Sequence, residues 1–468
     1  MESIDLQMMP RVTEMLVALE RHPARIIWSL GLVFLFVYIA SQTIVQGAHS
    51  RTINGDAIQY YAYLRSLAID GDVDFTNDYR LLFDTEAPDA SNNVWLTTVT
   101  PTGRAPNMMA IGPALLWAPA FLLVAAAGGT LRLVGLGVPF DGVAMPFLLS
   151  AGVAGILYAT AGIHLCYDMC RRLYPAVAAL WATLAAWLAT SAVYYSVVSP
   201  TYSHAVSIFA VALFCNTWLR TRGRDGLGRT VALGALAGLA ALVRWQDIIV
   251  LILPVGEFLH ATLRRDRSVS NALGHVGVLG AAAVLMLAPQ LVAWQSIYGQ
   301  PILMPQGEGF MRWTSPAVGL VLFSLKRGLF TWTPAVLLAV IGWRALVRRD
   351  RELGWSAVGI GLVALYINAA VSDWWAGEAF GARRFISYTP FLTLGLGGMF
   401  AAPFWQKRRV CLRWTALGLI AYNLLFVLQY QLFLRGFNQL APYPTTPGEV
   451  FVERLIVPFR LLRSWFAM

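Results

Sequence analysis

Charged residues are scarce in this sequence. Aspartate, glutamate, lysine and arginine together make up 13% of its 468 residues, whereas soluble domains usually carry about 25%. Hydrophobic residues make up 57%. A chain with so little charge does not match the surface polarity of a soluble globular protein. The composition therefore predicts a protein whose surface is largely solvated by lipid.

The apolar runs also lack the alternation of polar and apolar residues that marks a membrane β-barrel. They are continuous and about 17 to 24 residues long, which is the length that an α-helix needs to cross a bilayer. Cysteine is rare as well. Cys166, Cys170, Cys215 and Cys411 lie in or beside apolar runs, without the neighbouring ligands of a metal site. We therefore expect neither a disulfide framework nor a metal centre from them.

Positive charge is the one kind of charge in excess, with a formal net charge of +10. In a polytopic membrane protein arginine and lysine collect in cytoplasmic loops, so this excess does not indicate binding to nucleic acid. The apolar sequence between successive basic clusters is long enough for two crossings, which puts the clusters on one side, the cytoplasmic side. The clusters are Arg171-Arg172, Arg220/Arg222/Arg224/Arg229, Arg264-Arg265/Arg267, Arg348-Arg349/Arg351 and Lys407-Arg408-Arg409.

The sequence thus predicts an all-α polytopic membrane protein, a single integral membrane domain over 1–468 with about eleven transmembrane helices. This number puts the N-terminus inside and the C-terminus outside. The predicted spans are 26–45, 143–166, 177–196, 203–219, 230–243, 248–262, 277–294, 328–346, 355–371, 385–404 and 411–433.

The predicted outer side carries a long first loop, about 46–142, and a C-terminal segment, 435–468. Loops of this length are usually functional. The apolar run 108–128 lies within the first loop and contains Pro113 and Pro119, which interrupt helical hydrogen bonding. We interpret it as a re-entrant or interfacial helical pair, because a full crossing there would turn every later basic cluster outward.

The first loop opens with a candidate catalytic carboxylate. Asp56 follows Gly55 at the start of residues 57–69, whose apolar positions have helical spacing and suggest an amphipathic helix at the membrane interface. The helix dipole keeps a carboxylate at this position ionised, as a general base requires. A plain helix N-cap is the alternative. Tyr60 and Tyr61 follow on the same helix as candidate substrate-binding residues.

The predicted outer loop 372–384 combines charges of both signs. It contains the carboxylates Asp373 and Glu378, a pair of tryptophans, and Arg383 with Arg384. Arginine binds phosphate through two parallel hydrogen bonds, and arginines on the outer side run against the usual charge bias. We therefore expect a functional role for this loop, with Asp373 and Glu378 as candidate substrate-binding residues. Anchoring of the tryptophans at the interface is the alternative.

Three further basic residues are predicted on the outer side. Arg244 stands between two short apolar runs, and Lys326 and Arg327 precede the run at 328. With Arg383 and Arg384 they predict a basic pocket for a lipid phosphate. Asp247 is the alternative partner for Arg244. His204 could bond a sugar hydroxyl or a phosphate, although a lone histidine is more often structural.

Three stretches resemble the type-C glycosyltransferases, the membrane enzymes that use polyprenyl-phosphate sugars and include the protein O-mannosyltransferases and the lipid A aminoarabinose transferase. They are Gly55-Asp56 in the first outer loop, Ala241-Leu242-Val243-Arg244, and Arg171-Arg172-Leu173-Tyr174 before an alanine-rich helix. The resemblance implies inverting transfer of a sugar from the lipid carrier on the outer face. Asp56 is then the base that deprotonates the acceptor, and the basic residues hold the leaving phosphate.

The sequence departs from the metal-dependent members of that superfamily in the second outer loop. Those members carry Asp-x-Asp there, whereas this chain has the stretch Ser199 to His204. We therefore predict metal-independent transfer without a cofactor.

The predicted partners are a polyprenyl-phosphate-linked sugar, membrane lipids, and a glycan, lipid or protein acceptor, without nucleic acid. The predicted location is a bacterial inner membrane, with the active site facing the periplasm. The alternatives are a lipid-linked glycan flippase or transporter and a polymer ligase, neither of which needs the Asp56 base.

Overall fold

The computed structural model describes residues 20–45, 52–83 and 90–466. Within these ranges the regular structure is helical, apart from one isolated β-bridge between Met311 and Val371. The all-helical architecture predicted from the continuous apolar runs is confirmed for this part of the chain. Residues 46–51 and 84–89 of the predicted first loop lie outside the described residues.

The helices follow the apolar runs of the sequence. The α-helices are α1 Pro23–Ala40, α2 Asp56–Arg65, α3 Thr76–Leu82, α4 Ala90–Thr97, α5 Gly112–Leu133, α6 Met145–Leu173, α7 Ala176–Leu188, α8 Ala192–Val197, α9 Ser203–Thr221, α10 Leu227–Val243, α11 Ile252–Leu263, α12 Val269–Tyr298, α13 Val318–Phe323, α14 Leu329–Trp332, α15 Pro334–Arg349, α16 Arg351–Ala370, α17 Thr389–Phe400, α18 Pro403–Lys407, α19 Arg409–Leu434, α20 Pro447–Phe451 and α21 Glu453–Phe466. Trp245–Leu251 and Arg383–Tyr388 are 3₁₀-helices, and Ser41–Val45 and Ser66–Asp70 are π-helical.

Seven helical segments among the described residues are long and apolar enough to cross a membrane. Other predicted spans correspond to shorter or interrupted helices, such as α7, which ends before α8, and α15, which follows the short α14. The number of eleven crossings therefore stays a prediction. The seven are α1 with its continuation to Ile44, α5, α6, Trp245–Leu263, α12, α16 and α19.

Most of the run predicted as a re-entrant or interfacial helical pair, 108–128, lies in the single helix α5, so the prediction of a pair is wrong. The re-entrant or interfacial placement stays a prediction. Pro113 lies in the first turn, where its missing N–H is not needed. Pro119 lies inside the helix, and its loss of one hydrogen bond does not end an apolar helix packed against neighbours. Phe121 packs on Phe147 near the start of α6, with ring centroids 4.9 Å apart.

The helix predicted at the membrane interface, 57–69, is enclosed by protein as far as Ser66, whereas Leu67 and Ala68 are exposed. It forms α2 and a π-helical turn, and every residue from Ala57 to Arg65 is buried. Tyr61 packs on Phe121 of α5, and Tyr63 packs edge-to-face on Phe75. The apolar positions at helical spacing marked only one face of the helix. Tyr63 lies outside that face, so the burial of its aromatic ring did not follow from the pattern.

Acidic residues join three of the basic clusters, those at Arg171, Arg220 and Arg348, at one end of the helical bundle. Asp168 of α6 pairs with both Arg172 and Arg220. Arg222 pairs with Asp350 and Glu352 at the junction of α15 and α16. We call this end the basic end. The opposite end of α9, at Ser203, lies about 27 Å away along the helix axis.

The C-terminal segment, predicted to lie on the outer side, packs back against α19. The Tyr422 hydroxyl donates to the Phe451 carbonyl at 3.1 Å. The guanidinium of Arg454 lies 3.5 Å from the ring centroid of Phe426. Residues 447–466 therefore cover part of α19 rather than extend away from the bundle.

Helices α15 and α17 cross at glycines. A Cβ atom on Gly342 would overlap the Gly395 carbonyl oxygen, and a Cβ on Gly395 would overlap that of Ala339. Small residues at such crossings let helix backbones approach closely within a membrane. This contact fixes α17, and with it the 3₁₀-helix Arg383–Tyr388 that precedes α17.

We expect Gly342→Ala to lower the melting temperature of the detergent-solubilised protein, because overpacking costs about 1–3 kcal/mol. Gly359→Ala is the matched control, since a Cβ there meets nothing within 4 Å. Alanine raises helix propensity, so the control should melt at the same or a higher temperature. Equal melting temperatures for the two variants contradict the close crossing.

Candidate functional site

The site is built around the start of α2. Gly55 precedes the helix with φ 53° and ψ −134°, a conformation suited to glycine. A Cβ atom there would overlap the Tyr202 hydroxyl. Asp56 occupies the first turn of α2. The glycine therefore lets α2 begin against Tyr202 and brings the Asp56 carboxylate to the start of α9.

Asp56 forms an ion pair with Arg383. The Arg383 Nη2 and Asp56 Oδ2 atoms are 2.7 Å apart, and the side chains are 13% and 34% exposed, respectively. Burial alone lowers the pKa of the Arg383 guanidinium, but the Asp56 carboxylate and nearby tyrosines outweigh burial and raise it above its ordinary value. Arg383 also lies over the Tyr202 ring, 5.4 Å from its centroid.

Arg244 reaches the same region from the end of α10. Its Nη1 atom donates to the Ser203 hydroxyl at 3.2 Å and lies 3.1 Å from His204 Nδ1. The Tyr60 hydroxyl donates to the same Ser203 oxygen at 3.0 Å. The Arg244 Nε atom is buried and has no hydrogen-bond partner among the described residues. Ser203 thus links α2 with Arg244, and the Nε–H of Arg244 remains available as a donor.

His204 is held between aromatic rings. Its ring packs edge-to-face on Tyr195, with centroids 4.7 Å apart, and lies parallel to Tyr202 at 6.4 Å. The residue is 2% exposed. Arg244, Arg383 and Arg384 all interact with it electrostatically. His204 therefore lies beside Arg244, buried between the rings of Tyr195 and Tyr202.

Arg384 is already engaged by its own loop. Its Nη2 and Nη1 atoms donate to the carboxylate and the carbonyl of Asp373, at 2.7 and 2.9 Å. Arg327 donates to the Gly377 carbonyl, and the Lys326 ammonium lies 4.1 Å from the centroid of Trp375. These three basic residues fix the shape of loop 372–384, so Arg244 and Arg383 are the better placed to bind an added anion.

Two of the predicted substrate-binding residues, Tyr61 and Glu378, form no hydrogen bond or ion pair with this cluster among the described residues. Tyr61 is fully buried, and its hydroxyl donates to the Gly142 carbonyl at 2.6 Å. This placement gives no support to its predicted role. Glu378 is exposed on loop 372–384, beside the Gly377 that holds Arg327. Tyr60 lies with the cluster, because its hydroxyl meets Ser203.

Asp247 does not form the predicted alternative pair with Arg244. Its Oδ2 atom accepts from the Ser207 hydroxyl at 2.8 Å, and Ser207 lies 2.5 Å from the Ser387 hydroxyl. This buried contact joins the 3₁₀-helix that follows Arg244 to the one that begins at Arg383. Asp247 therefore holds the two arginine-bearing segments together.

Sequence reasoning missed the serines and tyrosines of this site. Ser203 and Tyr202 belong to the stretch Ser199 to His204. The predictions from that stretch used only the histidine and the absence of Asp-x-Asp. Tyr195 stands one helix earlier, and its hydroxyl accepts the Phe380 backbone N–H at 3.1 Å. The run of tyrosine, serine and histidine just before an apolar helix was the available signal.

A metal centre is not evident in the donor set. Among the described residues no group of three or more histidine, cysteine, aspartate or glutamate side chains could hold a metal ion. Metal-independent transfer remains a prediction, since this observation concerns protein ligands only.

No protein-family model and no curated protein match the chain. The solved structures that match include the crystal structure of ArnT from Cupriavidus metallidurans bound to undecaprenyl phosphate. It is 15% identical in sequence, the match covers 93% of this chain and 76% of ArnT, and the TM-score is 0.48.

We expect Gly55→Ala to destabilise the protein, because alanine must adopt a strained backbone conformation and overlap the Tyr202 hydroxyl. The strain alone costs about 1–3 kcal/mol. Gly71→Ala is the control, since Gly71 also has a positive φ, 77°, but a Cβ there meets nothing within 4 Å. Thermal unfolding should show the larger loss for Gly55→Ala. An equal loss contradicts the contact with Tyr202.

Proposed function

We propose that this protein is a glycosyltransferase that moves a sugar from a polyprenyl-phosphate carrier to an acceptor. The observation that carries the proposal is the Asp56–Arg383 ion pair, with Arg244 beside it, at the end of the bundle opposite the basic end. It brings a carboxylate that can take a proton together with guanidinium groups that can hold a phosphate. Those are the two parts that sugar transfer from a lipid phosphate needs.

The carboxylate side of the site is open. Asp56 is about one-third exposed, so a face of the carboxylate remains accessible beside Arg383. Asp56 accepts the proton of the acceptor as the acceptor oxygen or nitrogen attacks the anomeric carbon. A single displacement of this kind inverts the configuration at that carbon.

The arginine side matches the leaving group. Arg383 offers a guanidinium at the open edge of the site, and Arg244 has a buried Nε donor without a partner among the described residues. A buried donor of this kind normally meets an anion or a water molecule. Phosphate oxygens bound by Arg383 and Arg244 would be stabilised as negative charge develops on them during departure.

An apolar groove leads away from the arginines. It has a volume of about 540 Å³ and is lined by Phe385 and Tyr388 near the site and by Trp343 and Arg348 towards the basic end. Along α15, residues 336–348 of its wall span about 18 Å. Phe385 lies two residues after Arg383. A lipid phosphate bound at Arg383 could therefore place its isoprenoid tail in this groove.

The ion pair also orders the steps. A donor phosphate competes with the Asp56 carboxylate for Arg383. Binding of the donor therefore releases one carboxylate oxygen for the proton of the acceptor. The base becomes available when the leaving group is in place, which disfavours proton removal without transfer.

The finer parts of the proposal follow the charge distribution. The positive-inside rule puts the basic end in the cytoplasm, so the site faces the periplasm if the membrane is a bacterial inner membrane. The residues of the site supply a base and hydrogen-bond donors for the phosphate, so we propose transfer without a metal. The acceptor is a glycan, a lipid or a protein.

The direct test is an assay of the full-length protein in proteoliposomes with a panel of radiolabelled polyprenyl-phosphate sugars and an extract of envelope acceptors. We expect label to move from one donor to an acceptor. Folded protein that transfers from no donor overturns the proposal. Movement of the lipid-linked sugar between leaflets without transfer would assign the protein to the flippases instead.

Replacement of the proposed base separates catalysis from binding. We expect Asp56→Asn to lower turnover by about 10²–10⁴-fold, because a general base contributes that much, while donor binding is retained or strengthened. Asp266→Asn, which removes an exposed carboxylate near the basic end, is the control and should keep full turnover. Full sugar-transfer turnover in Asp56→Asn excludes Asp56 as the base and favours a polymer ligase, which does not need it.

Replacement of Arg383 tests the phosphate site. We expect Arg383→Gln to weaken binding of the sugar-free polyprenyl phosphate by about 10–100-fold, the effect of losing a hydrogen bond to a charged group. Arg435→Gln is the matched control, because Arg435 is an exposed arginine just beyond α19. Binding constants measured in detergent are sufficient. Equal binding by the two variants contradicts a role for Arg383 in holding phosphate.

A further inference from the structure

An open basic pocket, which we call the cavity, lies at the opposite end of the bundle, far from Asp56, and its arginines are exposed. It has a volume of about 740 Å³, and four arginines from the ends of α6 and α15 line it. The other lining side chains include Tyr174 and small residues of α17 and the turn after it, with no carboxylate among them. The four arginines are Arg171, Arg172, Arg348 and Arg349.

The carboxylates next to these arginines in sequence, Asp168 and Asp350, form their shortest ion pairs with arginines outside the cavity. Asp168 pairs with Arg172 at 3.3 Å but more closely with Arg220 at 2.7 Å. Asp350 pairs with Arg222. Neither Arg348 nor Arg349 has a carboxylate within 4.0 Å among the described residues. The cavity therefore holds positive charge that the described residues do not neutralise.

One of the residues that line this cavity carries a buried hydroxyl without a partner in the described part of the chain. The Tyr174 Oη atom is buried and has no hydrogen-bond partner among the described residues. Tyr174 is 8% exposed and is one of the residues that line the cavity. Buried hydroxyl groups normally find a partner, so this donor indicates that an acceptor completes the site.

The cavity continues into apolar surface. Arg348 lines both this cavity and the inner end of the groove between α15 and α16. Next to it in the groove lie Val347, Trp355 and Val358. Positive charge that leads into an apolar channel matches an amphiphile with an anionic headgroup and a hydrocarbon chain, whereas a free anion would use only the charged part.

We propose that this cavity binds the headgroup phosphate of an anionic phospholipid from the leaflet at the basic end. Arg348, Arg349 and Arg171 neutralise the phosphate, and Tyr174 donates to one of its oxygens. An acyl chain enters the groove at its inner end, along Val347 and Trp355, whereas the isoprenoid tail of the sugar donor enters it from the end at Phe385. Basic pockets between transmembrane helices on the cytoplasmic side are suited to anionic lipid headgroups. The proposal does not depend on the sugar-transfer reaction.

The test titrates the purified full-length protein with phosphatidylglycerol or phosphatidylcholine and counts bound lipids by native mass spectrometry. We expect preferential binding of phosphatidylglycerol, weakened about 30-fold in Arg348→Gln/Arg349→Gln, because each arginine near an anionic headgroup contributes about 1 kcal/mol. Arg264→Gln/Arg265→Gln removes two exposed charges outside the cavity and should change binding less than twofold.

Tyr174→Phe provides a second readout that keeps the packing of the ring. We expect it to weaken phosphatidylglycerol binding about fivefold, the effect of one hydrogen bond. Equal losses in the two double-arginine variants would overturn the proposal, since lipid would then respond only to the general charge of that end. Inorganic phosphate that binds as tightly as phosphatidylglycerol would also overturn it, because the acyl chain would contribute nothing.

Discussion

The Asp56–Arg383 ion pair is the contact on which the rest of the site depends. It joins helix α2 to a loop that follows more than 300 residues later in the sequence. Each partner is placed by a constraint of its own: Gly55 lets α2 begin against Tyr202, and the glycine crossing of α15 and α17 fixes the segment after Arg383. The pair lies at the opposite end of the bundle from the basic clusters, so the charged residues of the site are separate from those of the basic end.

The overall fold could be predicted because it follows from composition. Continuous apolar runs and few charges require helices in lipid. The spacing of the arginine clusters predicted that they lie on one side, and Asp168 and Asp350 form ion pairs with arginines of these clusters at one end of the bundle. Prediction failed where local patterns compete with packing. Pro119 does not break α5, and α2 is buried all round although its pattern suggested an interfacial helix.

The site could be predicted only in part. Asp56, Arg244 and Arg383 were found from the sequence because charge is rare in a membrane protein and each stands out there. Which arginines remain available could not be predicted, since the pairing of Arg384 with Asp373 depends on the fold of one loop. Ser203 and Asp247 act through hydrogen bonds to residues distant in sequence, and no local pattern records such partners.

A double-mutant cycle on the ion pair tests this account most directly. The melting behaviour of the full-length protein is compared for Asp56→Asn, Arg383→Gln and the double variant. Residues in direct contact show a coupling free energy of about 0.5–3 kcal/mol. We predict coupling in that range, with the double variant less destabilised than the sum of the single variants. Effects that add to within about 0.3 kcal/mol would show that the two side chains do not meet, and the proposed site would not exist.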